Sequence, residues 1–179
     1  ERRLQAAPAA SKRSLAAIAP GLHVVPIGHT GNRTQSPQEA VEVVAQVRAA
    51  IGALWTDPDD ATTPRPLEAG DFLVVAPYNA QVALIRERLD QAGLSGVRVG
   101  TVDKFQGQQA PVAIVSMTAS SHGDVPRGMG FLLSRNRVNV AVSRAQWRAV
   151  VIRSEALTAY LPSTADGVLE LGAFIGLCR

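Results

Sequence analysis

Residues 72–76 (FLVVA) and 112–117 (VAIVSM) are nearly solid apolar runs that show no alternation with polar residues. A strand with one face in water alternates, so such runs require cover on both faces. That is the arrangement of a parallel sheet flanked by helices. The intervening segments have helical spacing. Ser36 and Pro37 stand in the order of an N-cap followed by the first helical position. Ala40, Val43, Val44, Val47, Ile51 and Leu54 then recur every three or four residues. A second helix is expected over residues 79–92, with Val82, Ile85 and Leu89 inward and Gly93 closing it. Further strands are expected at residues 22–27, 97–102 and 149–152, with Pro26 marking an edge or an end of the first. A helix over residues 134–146 would bury Val138, Val140 and Ala141. Ser154 would cap a short helix ending before Pro162, and Asp166 another through Phe174.

The fold class implied is α/β, with a mainly parallel sheet and helices on both faces. Residues 1–20, rich in Ala, Ser and Pro, read as a linker or poorly packed lead-in. Residues 21–179 then form one domain, and residues 56–70 a polar, mobile loop. At 179 residues with 46% hydrophobic and 18% charged, the chain can bury a core. A single cysteine, Cys178, excludes a disulfide framework and a cysteine zinc cage. His23, His29 and His122 are scattered, which gives a metal centre no support. No apolar run approaches the roughly 18 to 20 residues that cross a bilayer. The first residue is Glu, with no signal-peptide pattern behind it, so the chain reads as a fragment of a cytoplasmic protein.

The net charge is only +3, but residues 125–154 contain no Asp or Glu. Arg127, Arg135, Arg137, Arg144, Arg148 and Arg153 all fall inside that window. Guanidinium groups match phosphate oxygens in a planar fork, although a solvated basic face has the same composition. Open α/β sheets bind ligands beyond the carboxyl ends of their strands, where specific polar segments follow. Pro77-Tyr78-Asn79-Ala80-Gln81 follows the first apolar run. Thr101-Val102-Asp103-Lys104-Phe105-Gln106-Gly107-Gln108-Gln109 follows the next strand. Arg135 to Ala145 (RNRVNVAVSRA) precedes the last. Singly these are a turn, a helix cap and a surface cation.

Together, in this order, they resemble motifs IV, V and VI of superfamily 1 helicases of the 5′-to-3′ branch, over roughly residues 22–153. The wording VDKFQGQ and LLSRNRVNVAVSRAQW looks most like bacterial proteins that join such a motor to a RecB-like nuclease. Gly31-Asn32 and Glu39-Ala40 resemble a segment that precedes motif IV. The sequence has no G-x-x-x-x-G-K-[ST] phosphate loop, no acidic Walker B strand end and no Y-R-M-H-type motif.

The resemblance therefore implies a second RecA-like domain, half of a composite ATP site. ATP and Mg²⁺ would be held mainly by an N-terminal RecA-like domain of the same protein. Arg144 matches the arginine finger of motif VI. Arg137 matches the first arginine of that motif and would support the same site or make a surface salt bridge. Gly107 lets the chain approach the nucleotide. Gln109 stands where the family has a ribose-contacting Glu, and it can still hydrogen-bond a hydroxyl. Thr101, Val102 and Asp103 would hold a phosphate of single-stranded nucleic acid, DNA ahead of RNA. Pro77 and Tyr78 belong to the same grip, and Tyr78 either stacks on a base or packs. The alternatives are a stand-alone nucleic-acid-binding module and a Rossmann-like enzyme. The absence of a G-x-G-x-x-G after the first strand disfavours the second.

Overall fold

The computed structural model describes residues 12–178. In chain order the elements are β1 (Ser14–Leu15), β2 (Gly21–Ile27), α1 (Pro37–Ala50), β3 (Leu54–Thr56), β4 (Arg65–Pro66) and β5 (Phe72–Val75). There follow α2 (Asn79–Gln91), β6 (Arg98–Gly100), β7 (Ala110–Ser116), α3 (Met129–Leu132), α4 (Arg135–Val142), β8 (Ala145–Ser154) and α5 (Ala165–Leu177). Five strands form one sheet in the order β2-β8-β7-β5-β6, and every pairing is parallel. This is the α/β, mainly parallel arrangement expected from the apolar runs, and it is consistent with the RecA-like fold that the motif resemblance implies.

Both faces of the sheet are covered. Phe72, Val74, Ile114, Val150 and Ile152 pack on one face with Val43 and Val47 of α1 and Ile85 and Leu89 of α2. Leu73, Val75, Val115 and Val151 pack on the other with Leu133, Val138 of α4 and Phe174 of α5. Successive residues of one strand thus serve opposite cores, which is why β5 and β7 carry no polar alternation. All seven residues of β7 are buried. Pro26 lies in β2, an edge strand, where its missing N–H costs no ladder bond toward a second neighbour.

Several boundaries differ from expectation. α1 ends at Ala50, so Ile51 is its C-cap, while Leu54 begins β3 and is 50% exposed. α4 stops at Val142, and Val142 rather than Val140 is buried. β8 starts at Ala145, four residues before the expected strand, and its first four residues are half-exposed with no apolar run to mark them. Thr164, not Asp166, caps α5, its hydroxyl accepting from the Gly167 N–H, and the helix continues to Leu177. Ser154 does cap the short turn after β8.

The polar segment after α1 is more ordered than its composition suggests. β1, β3 and β4 make a small antiparallel sheet. Its Trp55 meets Trp147 of β8 edge-on, 6.4 Å between ring centres. Residues 1–11 of the expected lead-in lie outside the described residues. The remainder is anchored: Leu15 is buried, Arg13 pairs with Asp57 at 2.9 Å, and the Trp147 indole donates to the Ile18 carbonyl at 2.8 Å.

Candidate functional site

The parallel sheet has two ends, and the candidate residues divide between them. β6 finishes at Gly100, and the chain must return to the opposite end of the sheet to begin β7 at Ala110. It does so through the 3₁₀ turn Val102–Phe105 and the loop 106–109. α4 makes the same journey on its face of the sheet. Its eight residues span about 12 Å. Arg137 in its first turn therefore sits at the carboxyl ends of the strands, and Arg144 at the amino ends.

At the amino ends, Arg144 immediately precedes β8, beside the start of β7. Its Nε donates to the Val140 carbonyl at 2.9 Å. One terminal nitrogen donates to the Gln108 carbonyl at 3.3 Å and the other to the Ser143 hydroxyl at 3.1 Å. Three of the five guanidinium donors are thus used for orientation, leaving two. Among the described residues it has no carboxylate partner. The neighbouring loop carries Gly107 at a φ of +77°, with open space where a Cβ would stand, and the exposed side chain of Gln109. Arg98, which sequence reasoning missed, ties this loop down. It donates to the Gly70 carbonyl, the Gln108 side-chain oxygen and the Gln109 carbonyl at 3.1 to 3.3 Å. Nothing in its local sequence distinguishes it from a surface cation.

At the carboxyl ends, a narrow apolar cleft is lined by Pro77, Thr101, Val102, Met117, Phe131 and Arg137, among others. Asp103, on the adjoining turn, is exposed. Tyr78 is packed rather than presented for stacking. It is 8% exposed, with its ring 5.9 Å from that of Phe131. Its hydroxyl is buried without a hydrogen-bond partner, a condition that costs about 1–3 kcal/mol. Burial pushes the Tyr78 phenol up, while Arg127 nearby pulls the other way. Among the described residues Arg137 makes no salt bridge, and it lies over the Phe131 ring, 4.7 Å from its centre. The structure therefore separates Arg137 from Arg144, which the sequence had grouped.

Behind the cleft lies a buried polar hub. The Glu39 carboxylate accepts from the Ser116 hydroxyl at 2.6 Å and from the Thr118 N–H at 2.8 Å, and is 3.1 Å from His29 Nε2. His29 Nδ1 meets the Ser120 hydroxyl at 2.8 Å. Thr118 sits at a φ of +72°, a conformation held here by its bond to Glu39. Gln81 is fully buried. Its amide accepts from the Ser36 N–H and donates to the Ser36 carbonyl and the Ser116 hydroxyl. The glutamine of the Pro77–Gln81 segment thus fastens the start of α1 to the sheet and is not free for a ligand.

A family model described as an AAA domain matches residues 27–156. The chain belongs to this AAA-domain family. The AAA domain is 48% identical over 86 residues to DNA polymerase alpha-associated DNA helicase A of Schizosaccharomyces pombe, covering 48% of this chain and 12% of that protein. It is 39% identical over 87 residues to DNA-binding protein SMUBP-2 of Rattus norvegicus, covering 48% of this chain and 8% of that one. It is 31% identical over 121 residues to the putative helicase mov-10-B.2 of Danio rerio, covering 60% and 12%. The matches thus span only about a tenth of these relatives. They make the chain a helicase-family domain. Among the described residues, no helix is long and apolar enough to cross a membrane.

Proposed function

We propose that this AAA domain is the second RecA-like domain of a superfamily 1 nucleic-acid helicase, most like those joined to a RecB-like nuclease. It would supply an arginine finger from one end of its sheet and a grip on single-stranded nucleic acid from the other. The observation that carries this reading is the state of Arg144. Its guanidinium is oriented by three neutral acceptors and, among the described residues, has no carboxylate partner and keeps two donors free. A cation held in this way suits charge that develops on a phosphate.

The surrounding residues fit a nucleotide. Gly107 leaves space for close approach of the backbone, and the exposed Gln109 amide can meet a ribose hydroxyl. ATP bound between this domain and a phosphate-loop domain would supply the free energy of phosphoanhydride hydrolysis. Mg²⁺ would be held mainly by that other domain. Pro77, Thr101, Val102 and Asp103 line or adjoin the opposite end, where hydroxyl and backbone groups can meet phosphates. Closure and opening of the two domains would then alternate the grips. DNA is the expected strand.

The first test is ATP turnover by the purified 179-residue chain, with and without single-stranded DNA. No turnover is expected, because the sequence holds no phosphate loop. Turnover that co-purifies with the chain and disappears on Arg144→Ala would overturn the half-site reading.

A further inference from the structure

We propose that Arg127, Phe131 and Arg137 form a clamp for the phosphodiester backbone of a single-stranded nucleic acid, at the mouth of the carboxyl-end cleft. The proposal rests on the grip reading above and identifies groups it did not contain. The guanidinium carbons of Arg127 and Arg137 lie 4.0 and 4.7 Å from the centre of the same Phe131 ring. The two guanidinium carbons are therefore no more than about 9 Å apart, within one Debye length, where like charges repel unless an anion joins them. No acid relieves them. Neither guanidinium makes a hydrogen bond or ion pair among the described residues. Glu170 lies against Gly130, and Asp124, three residues before Arg127, accepts from the Ser121 hydroxyl at 2.6 Å. The sequence around the pair, residues 125–154, is free of Asp and Glu.

The ring itself is committed. With two guanidiniums over it and Tyr78 beside it, Phe131 is engaged by its own neighbours. Its work is to hold the arginines, so the clamp reads phosphate and not sequence. Arg137 also lines the cleft with Pro77 and Thr101, which continues the surface toward the strand ends. Beside the Phe131 ring, the Tyr78 hydroxyl is a buried donor without an acceptor among the described residues. A ligand bearing anionic oxygens supplies what the arginines lack, and a strand presents such oxygens in succession.

The test is anisotropy of labelled oligo(dT) and oligo(U) bound to the 179-residue chain across a salt series. Each neutralised phosphate contributes a slope of about −0.7 in log K against log salt for single strands. Arg127→Ala and Arg137→Ala should each weaken binding severalfold and flatten that slope by about this amount. Phe131→Leu, which keeps both charges, should weaken binding as well. A diffuse basic face would be indifferent to it. Arg48→Ala, on exposed α1 surface, should match the unaltered chain. If the chain binds strands but the three clamp variants bind as tightly as it does, the clamp is wrong and the grip reading stands. If it binds no strand at all, both fail. Competition by inorganic phosphate as effective as that by oligo(dT) would reduce the site to an anion pocket and contradict a strand clamp.

Discussion

Glu39 shows how far a residue's role can lie from its local pattern. Ser36-x-x-Glu39 at the start of α1 has the form of a capping box, and Ser36 does accept from the Glu39 N–H. The carboxylate, however, turns inward to Ser116, Thr118 and His29, with both Glu39 and His29 side chains fully buried. Its removal would take from the Ser116 O–H, the Thr118 N–H and His29 Nε2 the acceptor they share in the interior. Glu39→Ala should therefore destabilise the domain by about 3 kcal/mol or more, measured by urea unfolding. A loss below about 1 kcal/mol would mean that water or rearrangement satisfies the hub. Burial of this kind depends on partners some eighty residues away, so spacing within α1 could not reveal it. Arg144 could be singled out because its neighbours resemble a specific motif. Arg98 was not, because its three acceptors are backbone and amide groups brought near only by the sheet.

At the scale of elements, the solid apolar runs made β5, β7 and their helices readable, because each strand is covered on both faces. The segment after α1 was misread as a mobile loop because its order comes from polar side chains. The Thr63 hydroxyl donates to the Asp57 carbonyl at 2.7 Å, and Arg65 grips both oxygens of Asp71 at 2.6 and 2.7 Å. Burial alone would push the Asp71 carboxyl up, but the Arg65 hydrogen bonds and the Glu68 N–H hold it below the usual carboxylate range. A carboxyl lowered in the folded state stabilises the fold above its unfolded pKa of about 4. That contribution is lost as pH falls through the folded-state value. In thermal melts, the difference between the native chain and Asp71→Asn should be largest near neutral pH and vanish on acidification. A difference that persists undiminished in acid would show that the pairing contributes through packing alone. The early stop of α4 has the same origin: the first residues of β8 are half-exposed and look no different from a continuing helix.

For the whole molecule, the sheet places Arg144, Gly107 and Gln109 at one end, and Tyr78, Thr101, Val102 and the Phe131 cluster at the other. The motif resemblance came from the sequence, but this division did not, since Arg137 and Arg144 fall in one resembled segment and only the run of α4 separates them. The central claim is that the two ends have separable duties. It is tested most directly in the intact protein that carries this chain, by measuring strand-stimulated ATP turnover and strand affinity on the same preparations. Arg144→Ala should lower kcat by about a hundredfold or more, roughly 3 kcal/mol in the barrier, with the Kd for single strands unchanged. Arg144→Lys should recover little of the rate, since a point charge does not reproduce the fork. Equal loss of turnover on Arg48→Ala, or loss of strand binding on Arg144→Ala with turnover preserved, would contradict the account.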